Sequence, residues 1–310
     1  MSNAQQISWS NQLEQIGQDH GFYRQLDAEH KALFVEGNDT LVVTFDNLDD
    51  ARQSVQERLP WGVKFISSQG WSALGIAAHG WTWFRSEAVY DFFDELKETG
   101  FFDRFKKVVF YGASMAGYAA AAFSSAAPGA TVIALVPQAT LERSVTGGWD
   151  DRYHRAWRRD FSGRYSYAPD EVKAAKKMWL FYDPLRREDA VHAALFRGPN
   201  VNYIRCRHFG HGIGTLMSRM GILKTVTQGI VSDEITAAGI YKILRARRTQ
   251  PNYQKQILNH LVASKRDDLT YRYARAVLDE CYPARRPHFM RQVNNIAKQR
   301  DLPRYSPPET

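Results

Sequence analysis

The sequence has few of the features that mark secreted, membrane-spanning or metal-stabilised proteins. Its two cysteines, Cys206 and Cys281, cannot build a disulfide framework and match no metal-ligand spacing. No run approaches the roughly 18 apolar residues that a membrane-spanning helix needs. The first residues lack a basic start followed by an apolar stretch, so no secretory signal is expected. We therefore predict a cytoplasmic location and no metal site.

Glycine-rich nucleotide-binding signatures are also missing. The chain contains neither G-x-G-x-x-G, which binds dinucleotides, nor G-x-x-x-x-G-K-[ST], which forms a phosphate loop. These absences exclude the two commonest ways in which an α/β protein binds a nucleotide through its first turn. No cofactor is expected.

The positive charge is concentrated at one end of the chain. The net charge is +8 at pH 7. Residues 221–310 hold sixteen Lys and Arg against eight Asp and Glu, whereas the first 220 residues are balanced. A solvated helical face is one explanation, and an anionic partner such as a nucleic acid, a phospholipid surface or a polyanionic glycan is the other.

Residues 22–220 alternate between short apolar runs and helical patterns, which predicts an α/β fold with a mostly parallel sheet. FYRQL and KALFV predict an early hairpin, and an Ala-rich helix is expected from Tyr118 to Ala127. The further predicted strands are TLVVTF (40–45), SALGIAA (72–78), KKVVFYG (106–112), TVIALVP (131–137), KMWLFYD (177–183) and VNYIRCR (201–207).

Two segments depart from this alternation. Residues 138–176 are rich in Arg and Tyr without a strong period, and they follow a strand, which is typical of a lid or a specificity insertion. Beyond residue 221 only helical patterns occur. We predict one α/β domain over residues 1–220 and a basic, all-helical extension over residues 221–310.

The most informative segment is VVFYGASMAGYAAAAF, in which a serine lies between a strand and a helix. Gly112, Ser114 and Ala116 form a G-x-S-x-A pattern there. A nucleophile elbow needs this context, because the turn is so tight that the residues two before and two after the nucleophile must be small. The pattern predicts Ser114 as a catalytic nucleophile.

A serine nucleophile needs a base and an orienting carboxylate, which follow it in the order Ser, Asp or Glu, His in this type of fold. Asp183 ends the strand KMWLFYD, and His211 lies in HFGHGIG after VNYIRCR, so we predict these two as acid and base. Asp189 and His208 are the alternatives. His192 is expected on a helix surface.

The remaining site predictions concern the oxyanion and the substrate. The N–H of Met115, directly after the nucleophile, and that of Asp46, after TLVVTF, are the predicted oxyanion donors, with Phe45 as the alternative to Asp46. Trp83 in WTWFRS and Gln138 after a strand end are predicted to bind substrate, with sheet-edge packing as the alternative for Trp83.

These residues resemble a known superfamily. YGASMAGYAA is similar to the GSSMGGYAA elbow of α/β-hydrolase superfamily esterases, and FYDP with HFGHG fits their later acid and base positions. GWTWFRS resembles the N-W-Y-R segment of bacterial hydrolase-like proteins linked to surface glycans, including accessory secretion proteins that resemble acetyltransferases. The likeness covers roughly residues 40–215 and departs from the pattern at Ala116.

The combined prediction is an α/β-hydrolase fold carrying a serine hydrolase that acts on an ester or thioester through an acyl-enzyme. The acyl substrate is a small molecule or is linked to a glycan. An acyltransferase acting on a glycan and a non-catalytic scaffold in polysaccharide or surface-protein export are the alternatives. An anionic partner is predicted for the basic extension.

Overall fold

The computed structural model of the chain describes residues 3–48, 59–60, 62–280 and 286–306, with side chains from Ser10 onward. It contains one eight-stranded sheet. The strands are β1 (Gly21–Gln25), β2 (His30–Val35), β3 (Thr40–Asn47), β4 (Ser72–Ala78), β5 (Lys107–Ala113), β6 (Thr131–Leu135), β7 (Lys177–Tyr182) and β8 (Val201–Arg205).

Helices precede, connect and follow these strands. They are α1 (Asn3–His20), α2 (Val63–Ser68), α3 (Glu87–Glu98), α4 (Met115–Ala122), α5 (Arg143–Thr146), α6 (Ala168–Glu171), α7 (Arg187–Leu195), α8 (Ile213–Arg219), α9 (Leu223–Val231), α10 (Ala237–Ile243), α11 (Pro251–Ala263), α12 (Asp267–Glu280) and α13 (Pro287–Arg300).

The sheet has the order β1-β2-β4-β3-β5-β6-β7-β8. Strands β1 and β2 run antiparallel to each other, β2 runs antiparallel to β4, and all other neighbours are parallel. The parallel strands bring their carboxyl ends to one edge, and ligands of open α/β sheets bind at that edge. A mostly parallel sheet with helices on both faces and a serine turn after β5 confirms the predicted α/β-hydrolase fold.

Each face of the sheet is covered by its own set of helices, because successive side chains of a strand point to opposite faces. On β3, Val43 and Phe45 join a core with α3 and α4, whereas Val42 joins a second core with α2, α8 and α9. The small side chains of α4 let this helix lie close to the sheet, and all its residues except Ala116 are buried.

The predicted strands and the early hairpin are all present, with ends that differ by at most two residues. The predicted Ala-rich helix begins three residues earlier than expected, at Met115, and continues after Ala122 as a 3₁₀ turn. Cys206 is buried, as a small apolar side chain at the end of a strand should be. Cys281 lies outside the described residues.

The helices after residue 221 belong to two packing groups. Buried side chains of α9 and α10, together with Tyr253 at the start of α11, join the same core as the sheet. Farther along, Leu258 of α11 packs with α12 and α13 in a separate cluster. The boundary at residue 220 stays a prediction. Among the described residues, no helix is long and apolar enough to cross a membrane.

Candidate active site

Ser114 lies on the sharp turn between β5 and α4. Its backbone has φ 53° and ψ −120°, a conformation that residues other than glycine rarely adopt. The Ser114 N–H donates to the Leu135 carbonyl at 2.8 Å, which fixes the turn against β6. Such strain persists only where the surrounding structure imposes it, and here it presents the Ser114 hydroxyl at the carboxyl edge of the sheet.

Gly112 permits this turn because nothing larger fits there. A Cβ at residue 112 would lie 2.0 Å from the carbonyl oxygen of Ala116 and 2.7 Å from the nitrogen of Gly117. Both contacts are with backbone atoms, so no side-chain adjustment would relieve them. The small-residue pattern identified in the sequence therefore has a direct steric cause.

We expect Gly112→Ala to destabilise the protein by about 3 kcal/mol or more, because overpacking against rigid backbone has few ways to relax. Gly148→Ala is the matched control, since a Cβ at Gly148 meets nothing within 4 Å. Denaturant unfolding of both variants measures the difference. Equal midpoints would show that the turn tolerates a side chain at position 112.

His211 joins the serine to a carboxylate. Its Nε2 lies 3.0 Å from Ser114 Oγ, and its Nδ1 lies 3.0 Å from both carboxylate oxygens of Asp189. With the Nδ1 proton donated to Asp189, Nε2 is free to accept the Ser114 hydroxyl proton. The structure thus brings the predicted nucleophile and base together, whereas the alternative base His208 packs with its ring 5.2 Å from His260.

The prediction of Asp183 as the partner of His211 is wrong in this structure. The Asp183 carboxylate accepts the N–H of Leu185 at 3.0 Å and that of Gly210 at 2.8 Å. Asp183 therefore ties the loop after β7 to the loop that carries His211. Asp189, on the first turn of α7, is the carboxylate that reaches the imidazole; the sequence marks it only as an acidic residue at a helix start.

Asp189 is one member of a longer charged network. Arg152 donates to Asp189 at 2.7 Å and to both oxygens of Asp150, and Asp150 in turn accepts from His192 Nε2 at 2.9 Å. The Nδ1 of His192 accepts the Ala139 N–H at 3.1 Å. His192 is completely buried, which corrects the prediction that it lies on a helix surface.

The network keeps the Asp189 carboxylate ionised. Burial by itself would raise the pKa of this carboxyl, but the hydrogen bonds and charges of His211 and Arg152 outweigh it and lower the pKa below the usual value. Burial lowers the pKa of His192 despite the adjacent Asp150, so His192 is neutral near pH 7. An ionised Asp189 can hold His211 in the tautomer described above.

Tyr153 covers the side chains of Ser114 and His211. Its hydroxyl lies 3.2 Å from His211 Nε2 and is hydrogen-bonded to Ser114, and its ring centroid lies 5.1 Å from that of Trp83. Burial raises the pKa of Tyr153 although Ser114 and Arg152 oppose it, so the hydroxyl stays protonated. The phenol oxygen therefore lies within hydrogen-bond distance of both the imidazole and the serine hydroxyl.

Comparisons with known proteins find no close relative. No known sequence family and no curated protein matches this chain. Among solved structures, the capsule O-acetyltransferase of Neisseria meningitidis serogroup A is 11% identical over 64% of this chain and 92% of that chain, with a TM-score of 0.41.

Two further solved structures are similar in part. The esterase of Pyrobaculum calidifontis is 16% identical over 76% of this chain and 95% of that chain, with a TM-score of 0.44. A glycosylation-associated protein complex of Streptococcus agalactiae is 16% identical over 68% of this chain and 46% of that chain, with a TM-score of 0.47. At these identities and TM-scores the likeness carries no function, and any function must be argued from this chain's own side chains.

A cavity of about 430 Å³ opens beside Ser114. Its walls include Asp46, Met115 and the exposed ring of Trp81. Met115 is the first residue of α4, and its N–H has no acceptor among the described residues, as an oxyanion donor requires. Asp46 lies near the end of β3 on the same cavity, and its role as the second donor stays a prediction.

Trp83 and Gln138 do not line this cavity. Both are buried, and the Trp83 Nε1–H donates to Gln138 Oε1 at 3.3 Å, behind the ring of Tyr153. Their predicted contact with substrate does not match these positions. The exposed aromatic side chain at the cavity is Trp81, two residues before Trp83. Alternation does not separate the two, because residues i and i+2 of an extended chain point to the same side, and the chain leaves the extended conformation at Trp83, where φ is 50°.

Residues 138–176 are fastened to the rest of the domain by a buried arginine. Arg85 donates to four carbonyls of this segment at 2.7–3.0 Å, those of Asp160, Ser162, Arg164 and Tyr165. The Tyr118 hydroxyl of α4 adds a hydrogen bond to the Tyr165 carbonyl at 3.0 Å. The segment that supplies Arg152 and Tyr153 is therefore fixed against α3 and α4.

Proposed function

We propose that this chain is a serine hydrolase that cleaves an ester or thioester through Ser114, His211 and Asp189. The observation that carries the proposal is the pair of 3.0 Å contacts that join Ser114 Oγ to His211 Nε2 and His211 Nδ1 to Asp189. A serine hydroxyl is a weak nucleophile until a base takes its proton, and the base needs a carboxylate to hold its tautomer.

In the acylation step, Ser114 Oγ attacks the substrate carbonyl carbon while His211 Nε2 takes the hydroxyl proton. The carbonyl oxygen becomes negatively charged and accepts hydrogen bonds from the N–H groups of Met115 and Asp46. His211 then gives its proton to the leaving alkoxide or thiolate as the bond to the acyl carbon breaks. Ser114 is left as an acyl ester, and Asp189 remains ionised throughout.

In the second step, water takes the place of the leaving group. His211 accepts a proton from water as its oxygen attacks the acyl-enzyme, and the same proton returns to Ser114 Oγ when the acid departs. His211 Nε2 accepts and returns the proton in both steps, so the site needs no further acid or base. Residues 138–176 then act as a fixed wall that supplies Arg152 and Tyr153.

Transfer of the acyl group to a sugar hydroxyl is the second candidate function. Trp81 favours it, because its side chain is 52% exposed at the rim of the Ser114 cavity, where a flat apolar ring suits the face of a sugar. Measuring how the acyl group of one activated ester divides between water and an added sugar separates the two functions. A cytoplasmic location stays a prediction for either.

The direct test is covalent labelling with a fluorophosphonate. Ser114 Oγ displaces fluoride from phosphorus, and we expect one phosphonyl group per chain by intact-mass spectrometry, located on Ser114 by peptide mapping. Ser67→Ala, which removes an exposed serine on α2, is the matched control and should label as the wild type does. Ser114→Ala should remain unlabelled.

A folded wild-type protein that takes up no label would contradict the proposal and favour a non-catalytic scaffold. Circular dichroism and a cooperative thermal transition establish folding in the same sample. Labelling elsewhere than on Ser114 would equally count against it.

A further inference from the structure

A second cleft adjoins the Ser114 cavity on the far side of α8. Its volume is about 560 Å³, and it lies between α8 and α11. Both cavities are lined by Thr215 and Arg219, so α8 is their common wall. Since an α-helix with its side chains is about 10 Å across, a substrate that occupies both cavities needs roughly that length to cross α8.

The two walls are regular helix faces. On α8 and its N-cap the lining residues are Gly212, Thr215, Leu216 and Arg219, and on α11 they are Asn252, Lys255, Gln256 and Asn259. Each set has the spacing i, i+3, i+4, i+7, which places its members on one side of a helix. His208, Phe209 and Tyr253 complete the lining.

The chemistry of this lining is polar and positively charged. Arg219 and Lys255 are the cations, three amide side chains stand beside Lys255, and none of the lining residues is acidic. Neither Arg219 nor Lys255 has an ion-pair partner among the described residues, whereas five other arginines in the described part of the α/β domain are paired with carboxylates. Two unpaired cations facing one cleft attract an anion, and the amides can hydrogen-bond its oxygens.

We propose that this cleft binds an anionic group, a phosphate or a carboxylate, on the part of the substrate remote from the scissile bond. The inference rests on the proposed function of Ser114 and names the class of substrate for it: an ester whose far end carries negative charge. It also gives the basic helices after residue 221 a direct part in substrate recognition, since Lys255 belongs to them.

The test uses three acetate esters of one straight-chain alcohol, with a phosphate, a carboxylate or a hydroxyl at the far end and a spacer of about 10 Å. We expect kcat/KM for at least one charged ester to exceed that of the hydroxyl ester by about 3- to 10-fold, as befits half-exposed charge pairs. The better of the two charged esters identifies the anion, and added salt should reduce its advantage.

Lys255→Gln should lower the ratio of kcat/KM for the charged ester to that for the hydroxyl ester by about threefold or more. Lys298→Gln removes the same charge from an exposed position on α13 and should leave the ratio unchanged. Equal kcat/KM for all three esters, or a ratio that Lys255→Gln does not lower, would overturn the proposal.

Binding to the full-length Ser114→Ala variant gives an answer that does not depend on turnover. Calorimetry with the preferred charged ester should give a Kd that Lys255→Gln raises by about threefold or more and Lys298→Gln does not. A Kd that Lys255→Gln leaves unchanged overturns the cleft assignment even if the esters are hydrolysed. Selective binding without any hydrolysis would instead retain the cleft and reject the proposed function.

Discussion

Replacing Ser114 by Ala is expected to lower kcat for an activated ester by about 10⁴- to 10⁶-fold, because the attacking oxygen is gone. His211→Ala should fall in the same range, since without Nε2 the serine proton has no acceptor. Stopped assays with p-nitrophenyl acetate, corrected for spontaneous hydrolysis, measure both.

The double variant gives the sharper result. Groups that act as one unit lose their whole effect when any one of them is removed. The double variant that combines Ser114→Ala and His211→Ala should therefore be at most a few-fold slower than Ser114→Ala alone. Ser67→Ala and His154→Ala change exposed residues of the same types and should retain wild-type rates. If the double variant instead loses rate by the product of the two single losses, Ser114 and His211 do not share a proton.

Asp189→Asn is expected to lower kcat by about 10³- to 10⁴-fold, whereas Asp183→Asn lowers it far less. Asn at position 189 can present an N–H to His211 Nδ1 and thereby favours the wrong tautomer, which leaves Nε2 protonated and unable to accept from Ser114. Asn at position 183 weakens two backbone hydrogen bonds outside the proton path.

Both variants are expected to be less stable than the wild type, whereas only Asp189→Asn should lose most of its activity. Loss of the Asp183 charge weakens its bonds to Leu185 and Gly210, which costs about 1–3 kcal/mol. Removing the Asp189 charge leaves Arg152 paired with Asp150 alone, so it also destabilises the fold. Denaturant unfolding alongside kcat separates the effects, and a larger loss of kcat in Asp183→Asn than in Asp189→Asn would reverse the assignment.

The sequence predicts the sheet and the Ser114–His211 pair for the same reason. Apolar runs such as VVFYG are long enough to mark central strands, and Ser114 and His211 each follow such a run within a few residues. In a parallel sheet the carboxyl ends meet at one edge, so both side chains are expected at that edge, and the loop after β8 carries His211 back across β7 and β6 to Ser114.

The position of the carboxylate partner of His211 is not set by strand ends, and for that reason the sequence points to Asp183 instead of Asp189. A residue at a strand end lies on the correct edge, but its side chain turns towards whichever backbone N–H groups the loop offers. In this chain the Asp183 carboxylate accepts the N–H of Gly210. Asp189 depends on the direction in which α7 leaves the sheet. That direction is set by tertiary packing, which periodicity does not record.

The network around Arg152 is still less accessible to sequence reasoning. Residues 138–176 have no period, and their contacts with Asp189 and His192 join parts of the chain about 40 residues apart. A buried His192 looks like a surface histidine until its partner Asp150 is known. Such partners lie far apart in the sequence, and a single chain gives no signal that pairs them.

The anchoring of residues 138–176 by Arg85 has a consequence for the timing of catalysis. One buried guanidinium holds four carbonyls of the segment and so leaves it little freedom to move. The conformational entropy lost in ordering Tyr153 and Arg152 is therefore already lost during folding. An arriving substrate does not have to supply it again. If the chain is the proposed hydrolase, we expect turnover to be limited by bond making and bond breaking, or by product departure, rather than by the opening of a flap.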